Sequence, residues 1–136
     1  MANKLRIERI TDDPDWYEPF RIALGYRVDD IIVLSGQASI NRQGEVVGAG
    51  DFDAQATQVF ENLDYVLGLA GSSMPNVLNV TIFLTDMAYF PKIVELRDRY
   101  FTPPYPADTI VEVNALALPE LMIEIQATAV VDDARA

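Results

Sequence analysis

The chain has no cysteine and no histidine. The first absence removes disulfides, thiolate metal sites and a cysteine nucleophile. The second removes the commonest general base and the commonest metal ligand. Basic residues are also scarce. Ten Lys and Arg stand against 21 Asp and Glu, a net charge of -11, which repels phosphate backbones and anionic membranes unless a local basic patch opposes it. The nearest thing to a cluster is Arg97 and Arg99 beside Lys92, and Glu95 and Asp98 interleave them in the manner of a solvated helix face. No stretch reaches the ~20 apolar residues needed to span a bilayer. The opening "MANKLRIERITDDPDWYEPF" carries charges throughout and no apolar signal-peptide core. The expectation is a cytoplasmic protein without nucleic-acid or membrane partners. Its chemistry must come from Asp, Glu, Tyr, Ser, Thr, Lys, Arg and main-chain groups. A carboxylate-only metal site would need a dense acidic cluster or a D-x-D-x-D-G loop, and neither is present.

What is present suffices for one core. The 136 residues are 50% hydrophobic, enough for a single domain over 1–136 and too few to make two the natural reading. "KLRIERI" (4–10) alternates as a short edge strand does, and "TDDPDWYEPF" (11–20) reads as an irregular connection. "IALGYRVDDIIVLSGQASI" (22–40) predicts two strands joined at Asp29 and Asp30, the second, Ile31 to Leu34, apolar enough to be buried on both faces. A Gly-rich turn region follows.

The clearest helix begins at Asp51 or Asp53. Ala56, Val59, Phe60, Leu63, Val66, Leu67 and Ala70 make one apolar face, Gln55, Gln58, Glu61 and Asp64 the other, and Gly71 closes it. "VLNVTIFLTDM" (77–87) is an interior strand. A second helix runs from about Tyr89 to Phe101 with Pro91 in its first turn and Ile93, Leu96 and Tyr100 inward, and two late strands cover Thr109 to Val113 and Leu121 to Val131. Two helices cannot cover both faces of a six-stranded sheet, so they should pack on one. The other face, expected to carry Ile31, Val33, Val80 and Ile82, is too apolar to leave in water, which implies oligomerisation.

"IIVLSGQASI" (31–40), "GDFDAQATQVFENLDYVLGLAG" (50–71), "VTIFLTDMAYFPKI" (80–93), "PYPADTIVEV" (104–113) and "IEIQATAVV" (123–131) together resemble the Rid (reactive intermediate deaminase, YjgF-like) family. The resemblance implies a chorismate-mutase-like α+β fold, a six-stranded mixed sheet, with a homotrimer holding small-molecule ligands in clefts between subunits and no cofactor. It implies hydrolytic deamination of an imine or enamine, with a non-catalytic metabolite-binding or interaction trimer as the alternative.

The departures from the family carry information. Deaminase members read P-A-R-S in the late segment, and that arginine binds the carboxylate of a 2-imino acid. Here the position is Asp108, within Pro106-Ala107-Asp108-Thr109. The resemblance therefore implies a substrate other than the usual 2-imino acid, because an anion facing a carboxylate repels it. An acid there favours a cation or hydrogen-bond donor, or, if desolvated, serves as proton donor.

The family's late I-E-I, whose glutamate activates water, is kept as Ile123-Glu124-Ile125. From its strand position alone, Glu124 reads equally as part of the polar face of an edge strand. Asp108 reads equally as a turn former. Glu112 stands ~13 Å from Asp108 along a regular strand, too far for a carboxylate dyad. The family's early tyrosine has no direct counterpart. Gap-free counting puts Ile22 there, and Tyr17 or Tyr26 could reach the same space. Asp108 and Glu124 are thus the candidate catalytic residues, with Thr109, Ile110, Gly36, Phe90, Tyr17 and Arg21 as candidate substrate-binding residues. Arg21 is the cation that could replace the missing arginine. Trp16 and Tyr17, beside Pro14 and Pro19, read more readily as interface plugs than as ligand contacts.

Overall fold

The structure is a computed structural model and describes residues 3–134. Its elements in chain order are β1 (Ile7–Ile10), β2 (Gly25–Val28), β3 (Ile31–Leu34), β4 (Gln37–Ala38), α1 (Phe52–Leu69), β5 (Val77–Leu84), α2 (Phe90–Tyr100), β6 (Ala107–Glu112) and β7 (Ile123–Val130). The sheet runs β1-β2-β3-β7-β5-β6, and the two-residue β4 pairs with β7 below the end of β3. All pairings are antiparallel except β5 with β6, which α2 joins as a crossover. This is the expected α+β fold with a mixed sheet. β4 is the additional strand, too short to leave a periodic signal.

Both helices lie on one face. Ile123, Ile125, Ala127 and Ala129 of β7 are buried beneath them with Val80, Ile82 and Leu84 of β5. The apolar face expected for α1 is buried throughout, and Asp51 caps the helix by accepting from the Ala54 N–H at 3.1 Å. Phe60 stacks on Tyr100 of α2 with ring centroids 4.3 Å apart, tying the two helices together through a side chain whose burial alone is worth roughly 1.5–3 kcal/mol. One member of α1's expected polar face is misassigned. Gln55 is fully buried, donating to the Gly48 and Glu120 carbonyls and accepting from the Met122 N–H. It joins α1 to the loop that enters β7.

Residue parity corrects the expected composition of the open face. Val80 and Ile82 share register with Ala127 and Ile125 and lie under the helices, fully buried. The open face instead carries Ile7, Tyr26, Ile31, Val33, Thr81 and Phe83, together with Glu124, Gln126 and Thr128. A strand apolar at every position does not mark which set turns inward; pairing decides it. For the same reason β3 is buried on one face only within the chain, with Ile31 41% and Val33 45% exposed.

Candidate functional site

β7 lies between β3 and β5 in the middle of the sheet, so Glu124 does not belong to an edge strand. Its register partners are Ala38 of β4 and Phe83 of β5. On a central strand with these neighbours Glu124 is half-buried. Burial pushes its carboxyl above the ordinary value of 4.5. No described residue donates a hydrogen bond to it. The carboxylate borders a cavity of about 200 Å³ that also touches Tyr17, Phe20, Ile22, Gly36 and Leu121.

Two neighbours shape the space around the carboxylate. Gly36, where the chain turns from β3 into β4, lies so close that a Cβ built on it would stand 2.8 Å from Glu124 Oε2 and 3.0 Å from Cδ. Glycine lets the carboxylate come this close without being displaced. Tyr17 donates its hydroxyl to the Gly36 carbonyl at 2.5 Å, and its pKa is pushed far above the usual phenol value, first by burial and then by the charge of Glu124. Tyr17 is therefore a neutral phenol whose hydroxyl donates to the Gly36 turn. Ser35 is also committed, donating to the Ala23 carbonyl at 2.6 Å.

A second cavity lies on the helix side of the sheet, lined by Phe90, Arg97, Tyr105, Pro106, Asp108 and Ile110. Strand alternation places Asp108, Ile110 and Glu112 on this side, in register with Val80, Ile82 and Leu84. Asp108 accepts from Arg97 Nε and Nη2, both at 2.9 Å. The two side chains are 27% (Arg97) and 19% (Asp108) exposed, and Phe90 stands with its ring centroid 5.9 Å from the guanidinium carbon.

The structure places the candidate residues in two groups. Glu124, Gly36 and Tyr17 meet in the first cavity, and Asp108, Ile110 and Phe90 in the second. Within one chain, Asp108 and Glu124 thus face opposite sides of the sheet. Thr109 lies on the open face of the edge strand β6, away from both cavities. Within the chain Arg21 lines neither of these two cavities. It is exposed in the left-handed conformation, φ 62°, after a short 3-10 turn, beside Arg9, Glu18 and Tyr26. Trp16 and Tyr17 are core residues, 3% and 6% exposed, and not exposed plugs. Tyr26 sits on β2 outside the first cavity, so of the two tyrosines only Tyr17 borders it. Phe90 opens α2 at 40% exposure and is no core residue. Glu112 has a structural partner, accepting from the Met87 N–H at 2.8 Å.

Arg97 is the residue the sequence reading missed, taken there for part of a solvated face. Its position four after Ile93, a buried residue on the sheet-facing side, was the available signal. Among the described residues no group of three or more Asp and Glu gathers as a metal cradle, and no helix is long and apolar enough to cross a membrane.

The glutamate of Ile123-Glu124-Ile125 thus stands on a central strand beside the Gly36 turn. The family model described as Endoribonuclease L-PSP matches residues 13–131. The chain belongs to this family, the YjgF or Rid family. Similar curated proteins include the 3-aminoacrylate deaminase RutC of Acinetobacter baylyi, 35% identical over 103 residues, which are 76% of this chain and 81% of that protein. Protein DfrA of Myxococcus xanthus is 38% identical over 112 residues, 82% of this chain and 85% of that protein. Among solved structures, the Rid-family protein YyfA of Yersinia pestis superposes with a TM-score of 0.84 at 28% identity, covering 93% of this chain and all of that one. This Rid-family chain has the family's α+β fold of a mixed sheet with two helices, as that solved structure does.

Proposed function

We propose that the protein is a homotrimeric, cofactor-free enzyme that hydrolyses a C=N bond, deaminating an imine or an enamine through its imine tautomer, in clefts formed between subunits. The observation that carries this reading is Glu124: a desolvated carboxylate in a central strand, without a donor, at the wall of a cavity. A half-buried acid left unpaired costs stability, and such groups cluster at functional sites. A raised pKa moves it toward the operating pH of a general base. Glu124 takes a proton from water as the oxygen bonds to the C=N carbon and passes it to the nitrogen, giving a carbinolamine; the carbinolamine hydroxyl proton then moves through the same carboxyl to the amine. The carbinolamine then collapses, the C–N bond breaks, and ammonia and a carbonyl compound leave.

The subunit arrangement is supported by the open face. Ile7, Tyr26, Ile31, Val33 and Val111 are all more than a third exposed there, a patch too apolar to be left to water. Each cavity is also half a site. The Glu124 cavity offers a base without a counter-group, and the Arg97 and Asp108 cavity offers polar recognition without a base. A second copy packed on the open face can bring one against the other. The free edge of β6, with the main-chain groups of Thr109 and Ile110, lies beside the second cavity and can contribute hydrogen bonds at such a seam.

The test is ammonia release from a panel of imines, enamines and aminated ring-cleavage products, with sedimentation run on the same material. Turnover by wild type and its loss in Glu124→Gln are expected. Inactivity of wild type on every member, or full activity of the variant, ends the catalytic reading. Saturable metabolite binding without turnover would mark a binding protein instead.

A further inference from the structure

We propose that Arg97, projecting from α2, is the anion-recognition residue of the site, and that Asp108 is its positioning residue. A guanidinium has two edges able to make paired hydrogen bonds, one through Nε and an Nη and one through the two Nη groups. Asp108 occupies the first, with Nε and Nη2 each at 2.9 Å. Nη1 has no partner among the described residues, so the outer edge keeps its donors.

The surroundings combine the charged pair with aromatic surface. The pair is partly buried, and Arg97 and Asp108 border a cavity whose other walls include Phe90, Tyr105, Pro106 and Ile110. Phe90 at 40% and Tyr105 at 57% exposure present uncovered aromatic surface beside the charge. Aromatic walls with one oriented donor edge suit a small planar molecule ending in a carboxylate.

The acid at position 108 does not turn the site into a cation receptor. Its charge is met by Arg97, and it holds the guanidinium so that less rotamer freedom is lost when an anion binds. A ligand carboxylate contacts the outer nitrogens directly and lies farther from Asp108 than from Arg97, so attraction dominates. This inference rests on the seam reading above and deepens it. The imine or enamine carries a carboxylate, held by the helix of one subunit while Glu124 of another delivers water.

The test uses benzoate, benzamide and benzamidine, probes of one shape whose end groups are anionic, neutral and cationic. Their binding to the full-length wild type is measured by calorimetry or ligand-observed NMR at low ionic strength. Benzoate is expected to bind at least about tenfold more tightly than benzamidine, the scale of one charge-assisted contact. Arg97→Gln should abolish that preference, and Arg97→Lys should keep part of it. Asp108→Asn should weaken benzoate binding several-fold without reversing the order. A wild type that binds none of the probes, or prefers benzamidine, overturns the inference, as does unchanged benzoate affinity in Arg97→Gln. If that variant fails to fold, the wild-type order and Arg97→Lys decide. Because binding is read without turnover, benzoate preference with no ammonia release sinks only the catalytic reading. Turnover that depends on Glu124 but not on Arg97 sinks only this one.

Discussion

Gly36→Ala separates function from folding within a single methyl group. The added Cβ would stand 2.8 Å from Glu124 Oε2, 3.0 Å from Cδ and 3.2 Å from Cγ. Ordinary contact would require the carboxylate to retreat by roughly 0.5 Å, about the tolerance of a productive catalytic geometry. The backbone imposes no further penalty, since Gly36 is not among the residues with positive φ. The clash falls on the end of a side chain that can move. The stability cost is therefore at the low end of overpacking, about 1 kcal/mol, which for a chain of this length lowers Tm by roughly 4 °C. Turnover should fall far more, by about 10- to 100-fold, because the base no longer points where water is held. Gly25→Ala is the contrasting variant. Its Cβ would meet the Val33 carbonyl oxygen at 2.6 Å and the Leu34 Cα at 3.0 Å. Both belong to the backbone of the paired strand β3 and cannot withdraw without opening the sheet, so the cost should approach about 3 kcal/mol. The assays are thermal melting by circular dichroism and ammonia release on the same preparations. Wild-type turnover in Gly36→Ala, or a stability loss equal to that of Gly25→Ala, would refute the claim that this glycine serves the carboxylate.

Glu124→Gln should melt at a higher temperature than wild type at pH 7. Burial raises the folded-state pKa, so the native state binds more protons than the unfolded one between the ordinary value of 4.5 and the raised value. Stability is lost as pH rises through that window. The advantage of the variant should vanish near pH 4, and a pH-independent difference would contradict the assignment; the acid limb of kcat/KM should be displaced upward in wild type. Val33→Asp, on the open face, should leave the far-ultraviolet circular dichroism intact and yield monomers in sedimentation, with loss of turnover. Gln55→Leu strands three main-chain groups, at 3.1, 2.8 and 2.8 Å, and should cost about 3 kcal/mol by denaturant melting. A cost under about 1 kcal/mol would mean that those groups find other partners.

The parts of the fold that were legible in the sequence were those with a periodic signal. α1 shows the three-and-four spacing of Ala56, Val59, Phe60, Leu63, Val66 and Leu67, and its stop at Gly71 is marked by a positive φ of 81°. β7 alternates cleanly from Ile123 to Val130, which already placed Glu124 on the face opposite the core. What failed is equally physical. β5 is apolar on both sides, so its inward set was undecidable until the pairing with β7 assigned Val80 and Ile82 to the helices. Gln55 and Trp16 were assigned by residue type, but their burial depends on distant segments. Gln55 bonds across 65 and 67 residues of sequence. Arg97 looked like its charged neighbours, because its place four after the buried Ile93 was outweighed by the surrounding charges, and its partner lies on a strand eleven positions on.

That last failure bears on how a charge at a family position is interpreted. Asp108 suggests an inverted site when it is considered alone, since one acid replaces one base. The crossover from β5 through α2 to β6 sets a helix residue above that strand position. The two together form the chemical unit, and their formal charge is zero. The polarity that a ligand meets then depends on which member presents free groups to the cavity. Arg97 retains Nη1 and an outer edge, while both oxygens of Asp108 already accept hydrogen bonds from it. On the proposed reading, a reversal of sign in the sequence amounts to a relocation of the guanidinium from strand to helix, and the direction from which an anion would be gripped changes with it.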